Sequence, residues 1–166
     1  MDKMKSARVF VSVGTHPQQF DRLLRHIDFL VSGGKLKGRV FAQIGHGSYA
    51  PKKYESRGFL TLDEFEAAIS KCKIFITHAG EGNIGQAKNL GKKMVVVPRR
   101  KEFGEHTNDH QLELAEVVEG KKLGLVAWNI DELAEKLAEL GGFRPASVPK
   151  GNIENIVEGF LQKEFR

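Results

Sequence analysis

Apolar residues fall into two alternating kinds of segment along this chain. Short, largely apolar runs rich in Val, Ile and Phe occupy residues 9–13, 39–44, 74–77 and 94–97, with a further run over 124–128. Between them, apolar residues recur every three or four positions. Largely apolar runs of this length predict buried strands, and the wider spacing predicts helices with one apolar face. After the first run, Phe20, Leu23, Leu24, Ile27, Leu30 and Val31 share a helical face, with Pro17 acceptable in the first turn. Residues 62–71 predict a helix opened by Thr61 with Glu64 three residues later, a capping-box pattern. Further helices are expected over 84–90, stopping at Gly91, and over 109–118. A last one, capped by Asn129, holds Ile130, Leu133, Leu137 and Leu140. The stretch before Phe59 and Leu60 reads as a polar loop.

Strands and helices alternating at this pitch predict an α/β fold, a Rossmann-like parallel sheet with helices on both faces. Ligands of such sheets bind beyond the carboxyl ends of the strands. Those ends are Gly14-Thr15, Gly45-His46-Gly47, residues 78–83 and residues 98–111, so glycines and histidines gather on one rim. No repeat or composition break divides the chain, and residues 1–166 read as one domain. Residues 141–151 read as a loop before a terminal amphipathic helix over 151–166, where Ile153, Ile156, Val157, Phe160, Leu161 and Phe165 form an apolar stripe. That stripe suits either the chain's own sheet or a partner.

Composition narrows the class. The content of 40% hydrophobic and 28% charged residues is that of a soluble globular protein, and no run approaches the roughly 20 apolar residues that span a bilayer. The N-terminus lacks a signal-peptide pattern, and the single cysteine, Cys72, excludes an internal disulfide framework, so a cytoplasmic location is expected. A net charge of +5 admits a nucleic acid, an anionic membrane face or a phosphorylated ligand. Basic and acidic residues interleave and no aromatic stacking platform is visible, which turns the reading away from nucleic acid.

Two segments carry candidate chemistry. In ITHAGEGNIGQA a strand ends in small residues and glycines before a helix start near Asn83, an arrangement that aims backbone N–H groups and a helix dipole at one place and suits a pyrophosphate. Gly80, Gly82 and Gly85 match the letters of a dinucleotide fingerprint, but the acidic residue expected after the next strand is missing, because that strand ends at Pro98-Arg99-Arg100. In residues 98–111, Arg99, Arg100 and Lys101 can neutralise a phosphate or an acidic sugar. Asn108, His110 and Gln111 can read sugar hydroxyls. His106 and His110 stand four apart without the glutamate or third ligand of a zinc site, and no paired aspartates offer a divalent-cation site, so no metal and no other cofactor is expected.

The segments VSVGT, ITHAGEGN, VPRR and GEHTNDHQLELA together resemble the C-terminal, sugar-nucleotide-binding domain of family 28 glycosyltransferases, the C-terminal half of a GT-B fold. The likeness runs over residues 8–140. It is closest to the small donor-binding subunits of two-component bacterial exopolysaccharide glycosyltransferases and to their eukaryotic counterpart in lipid-linked-oligosaccharide synthesis. The resemblance implies that Gly14 and Thr15 lie near the donor diphosphate, that His78, Gly80, Gly82 and Asn83 form a second diphosphate-facing loop, and that His110 and Gln111 contact the donor sugar. Gln86 stands where many relatives carry a glutamate on the ribose hydroxyls, Asn83 replaces a serine, and Glu81 is unusual beside phosphate. The implied function is donor binding for metal-independent, inverting transfer from a UDP-sugar to a lipid-linked saccharide at the cytosolic membrane face. A membrane-associated partner would supply the acceptor site and the base, with His16 and His106 as candidates within this chain. Glucuronate, galactose, glucose and N-acetylglucosamine all remain open as the sugar, with Arg99 and Arg100 leaning towards an acidic one. A noncatalytic nucleotide-binding or regulatory subunit would share the same loops.

Overall fold

A computed structural model describes residues 4–147, together with Asn155 and Gly159. The apolar runs form parallel strands β1 (Val9–Ser12), β2 (Val40–Gln43), β4 (Ile74–Thr77), β5 (Met94–Val96) and β6 (Leu125–Val126), and a further strand, β3 (Glu55–Arg57), joins them at one edge. The sheet order is β3-β2-β1-β4-β5-β6. Chain order runs outward in one direction from β1 to β3 and in the other from β4 to β6, so the direction reverses between β1 and β4. At that reversal, connections leave to opposite sides and open a crevice at the carboxyl ends of the two strands.

Alternation along each buried strand divides the core in two. Phe10, Phe41 and Phe75 turn to one face, where they meet helices α2 (Leu62–Lys71), α3 (Glu81–Asn89) and α4 (His110–Gly120) through Phe65, Ile69, Ile84 and Leu114. Val9, Val11, Val40, Ala42 and Ile76 turn to the other, covered by α1 (Asp21–Ser32) and α5 (Leu133–Glu139) through Leu23, Ile27, Leu30 and Leu133. The α/β arrangement with helices on both faces is thus the one the pattern predicts. The Phe10 ring sits within a cluster, 5.3 Å from Phe65 and 5.5 Å from Phe75 between centroids.

Several boundaries differ from expectation, each for a local reason. The polar loop before Phe59 contains β3, an edge strand whose exposed Glu55 and Arg57 give no apolar signal and which pairs with β2 through its backbone. Helix α1 begins at Asp21, and Pro17 lies before it, because the Gln18 and Gln19 carbonyls are taken by a side chain from another loop. Helix α3 begins at Glu81, three residues ahead of the expected start, with Gly80 as its N-cap. The segment after Asn129 opens as a 3-10 turn over Ile130–Glu132 before α5, and the Asn129 side chain donates to Glu132 instead of capping a backbone N–H. The capping box of α2 forms as expected, with the Glu64 amide donating to Thr61 and the Thr61 amide to Glu64. Asn155 and Gly159 are helical, but the apolar stripe expected over 151–166 lies outside the described residues. No helix among the described residues is long and apolar enough to cross a membrane.

The shared ring cluster makes Phe10 the most informative core position. Phe10→Ala is expected to lower the free energy of unfolding by about 3–5 kcal/mol, read as a lowered midpoint in urea with little change in slope.

Candidate functional site

The crevice at the β1/β4 reversal holds a cavity of about 510 Å³, within the range of small-molecule sites. Gly14, Thr15 and His16, which follow β1, line it, together with His78, Gly80, Glu81, Gly82, Asn83 and Gln86 from the end of β4 and from α3. Gln111 and Gln43 contribute from α4 and β2, and Leu60, Leu62 and Phe65 add an apolar wall where α2 starts. No side chain caps α3, so its first-turn N–H groups remain open to a ligand at the positive end of the helix dipole.

His78 organises the floor. Its ring fits between two glycines: a Cβ on Gly14 would come within 2.5 Å of the imidazole Cε1, and one on Gly80 would collide with Nε2. Gly14 is also held at φ +76°, where a side chain is strained, so both packing and backbone demand glycine there. Below the ring, the Asn83 amide nitrogen donates to Ser12 Oγ and Thr77 Oγ1, both at 3.0 Å. Burial, then the Arg99 charge, pushes the His78 imidazole down to about 3, so it is neutral at physiological pH.

The strand-end loops are locked to one another by buried polar groups. Arg99, 1% exposed, donates from Nη1 to the carbonyls of Gln18 (2.8 Å), Gln19 (3.0 Å) and Glu105 (3.0 Å), and from Nη2 to Val13 (2.6 Å). Glu105 accepts two bonds from Arg22, at 2.8 and 2.9 Å, and one from the Arg100 amide. Gln111 Oε1 accepts from the amides of both Ala79 and Arg99, tying the β4 and β5 ends together. Burial lowers the Arg99 guanidinium to about 10, with Glu105 opposing the shift, and it stays charged at neutral pH.

The residues expected at the site therefore separate into two groups. Gly14, Thr15, His78, Gly80, Gly82, Asn83, Gln86 and Gln111 come together around the cavity. Arg99 and Arg100 do not join them. Arg99 serves the main chain, and Arg100 donates to the Trp128 carbonyl and pairs with Glu102, which removes the basis for favouring an acidic sugar. Asn108 accepts from the His110 amide at the start of α4, and the His110 ring bridges Glu113 and the cavity-lining Glu81. His16 and His106 stack with centroids 4.2 Å apart, His16 alone lining the cavity. Gln43, Leu60, Thr61, Leu62 and Phe65 were not foreseen here, since α2 reads as a capped core helix. The sequence shows only Leu62 as a large apolar residue at the helix start; its 67% exposure, which marks it as part of an open wall, is visible in the structure alone. Among the described residues, no group of three or more His, Cys, Asp or Glu could hold a metal ion.

Two expectations test this network. The folded pKa of His78 lies far below the unfolded value of about 6.5, so between about pH 6.5 and 3 the unfolded chain holds a proton that the folded one lacks. Stability from this group is therefore complete above pH 6.5 and declines as the pH falls through that window. His78→Gln should flatten the decline by up to about 1.4 kcal/mol per pH unit in urea melts at pH 6.5 and 4.5. Arg99→Met leaves the Val13, Gln18, Gln19 and Glu105 carbonyls without their partner. It should cost about 3–5 kcal/mol and speed amide hydrogen exchange selectively over residues 14–20.

Comparison with known proteins gives the family and the fold. The UDP-N-acetylglucosamine transferase subunit ALG13 of Homo sapiens is 35% identical over 117 residues, covering 64% of this chain and 10% of that protein. The Mus musculus protein of the same name is 32% identical over 120 residues, covering 65% and 10%. This chain thus spans about a tenth of the length of these relatives. Among solved structures, the glycotransferase of kitacinnamycin superposes with a TM-score of 0.62 at 20% identity, over 96% of this chain and 43% of that one. The NMR structure of ALG13 superposes at 0.57 with 16% identity, over 88% and 91%, and at such identities the likeness is one of fold. Residues 8–157 match the model of the glycosyltransferase family 28 C-terminal domain, and the chain belongs to that family.

Proposed function

We propose that this chain is the donor-binding subunit of a UDP-sugar-dependent, inverting glycosyltransferase acting on a lipid-linked saccharide in polysaccharide biosynthesis. The observation that carries the reading is the cavity at the β1/β4 reversal, where the open N-terminus of α3 faces the glycine turn after β1 in a chain of family 28. Two sets of backbone N–H groups converging on one space suit a diphosphate. The apolar wall of Leu60, Leu62 and Phe65 suits the flat face of a base, and Gln86 offers an amide to ribose hydroxyls. Gln111 has its oxygen engaged by two amides, which leaves its side-chain NH2 for the sugar.

In this reading the first turn of α3 and the Gly14-Thr15 turn stabilise negative charge as the UDP group departs, the electrostatic work of the step, with no metal ion required. The acceptor hydroxyl is deprotonated by a base on a membrane-associated partner, which also binds the acceptor and holds this chain at the cytosolic face. The ALG13 relatives are themselves named as subunits, which supports a partnered arrangement.

Calorimetric titration with UDP, UDP-glucose and UDP-N-acetylglucosamine, with and without EDTA, tests the donor assignment. Binding that EDTA leaves unchanged is expected, and absence of binding even with the partner present overturns the reading. Sugar transfer by the reconstituted pair separates it from a noncatalytic nucleotide-binding subunit, which would bind but not transfer.

A further inference from the structure

At the mouth of the cavity, His16 and His106 come from different loops, one after β1 and the other after β5, and their rings stack 22° from parallel. The two imidazoles share a local geometry. His16 Nδ1 accepts from the Gln18 amide at 3.4 Å, and His106 Nδ1 accepts from the Asn108 amide at 3.3 Å, each two residues further on. In a neutral imidazole one nitrogen accepts and the other donates, so an occupied Nδ1 places the proton on Nε2. Neither ring then keeps a bare nitrogen for abstracting a proton. For these two candidates the geometry favours donation, in keeping with a base supplied from elsewhere.

We propose that His16, held by its stack on His106, is a neutral hydrogen-bond donor, through Nε2–H, to the diphosphate of the bound nucleotide-sugar. The inference rests on the donor assignment above. His16 lines the cavity beside Gly14 and Thr15, where the diphosphate is placed, and an anionic oxygen is a strong acceptor for an N–H.

The surroundings favour the neutral form of His16. Burial, then the neighbouring His106 and Arg99, hold His16 below the usual histidine range. Of the other charged or titratable groups nearby, His78 is buried and neutral, Glu105 is engaged by Arg22 and the Arg100 amide, and Glu81 reaches towards His110. No carboxylate is paired with either ring of the stack among the described residues. Donation without charge gives a grip that does not vary with pH through the neutral range, unlike an imidazolium clamp.

The test uses two variants that each preserve one half of the arrangement. In His16→Asn the side-chain oxygen can still accept from the Gln18 amide as an Asx turn, which keeps the loop. In His16→Phe the ring can still stack on His106. Both lose the Nε2–H. Calorimetry with UDP-glucose is expected to show about tenfold or greater loss of affinity in both variants, while uridine, which has no phosphate, binds as to the unaltered chain. Affinity of the unaltered chain for UDP-glucose should be level between about pH 7 and 8.5, and ¹⁵N spectra of the His16 ring should show a protonated Nε2 with an unprotonated, hydrogen-bonded Nδ1. A bare Nε2, or unchanged UDP-glucose affinity in both variants, overturns the proposal and leaves the donor assignment standing. If neither UDP-glucose nor uridine binds the unaltered chain even with the partner present, the donor assignment fails and this proposal falls with it.

Discussion

The guanidinium of Arg99 is the constraint on which the site depends. A cation removed from water is costly unless its protons find partners, and here four main-chain carbonyls from three separate stretches accept from the two terminal nitrogens, while the buried Nε has none. Because the acceptors are backbone atoms, the side chain fixes the path of the chain itself. It stops α1 from starting early, holds the turn after β1 against the loop after β5, and leaves Gly14 under the His78 ring. Glu105 completes the arrangement by balancing the charge while being held by Arg22. The cost of burial is thereby spread over a network whose product is a crevice of fixed shape.

The same charge sets the electrostatics of the cavity. His78 and His16 lie close enough to Arg99 for its field to favour their neutral forms. A nearby arginine would ordinarily read as a direct anion ligand. Turned inward, it acts on the cavity through its field and through the backbone it positions, while the groups left open towards the cavity are the N–H dipoles at the start of α3.

Much of the fold could be read from apolar periodicity, because the four strands at the centre of the sheet are apolar enough to announce themselves and the helices between them show one clear face. What escaped was structure made by backbone pairing or by distant side chains. Strand β3 has no apolar residue, the first residues of α3 include Gly82, which reads as a turn, and the delay of α1 comes from an arginine almost eighty positions away. At the site, the glycines and His78 were legible because close approach of backbone to ligand has a compositional trace. Arg99 was not, since a sequence shows a charge but not which way it points. Leu60 and Phe65 were hidden by having a sufficient explanation as the entry to a capped helix.

The two edges of the sheet differ from its centre in a way that bears on assembly. β3 is short and flanks its single serine with an acid and a base, both exposed, and β6 at the other edge is only two residues long. Unpaired strand edges invite foreign strands, and short or charged edges discourage them. Among the described residues, both margins of this sheet are thus poor templates for extension by another chain. Under the proposed subunit arrangement, recognition of a companion protein would fall to side chains presented from loops and helix surfaces, so specificity in pairing would rest on shape and charge instead of on generic backbone complementarity.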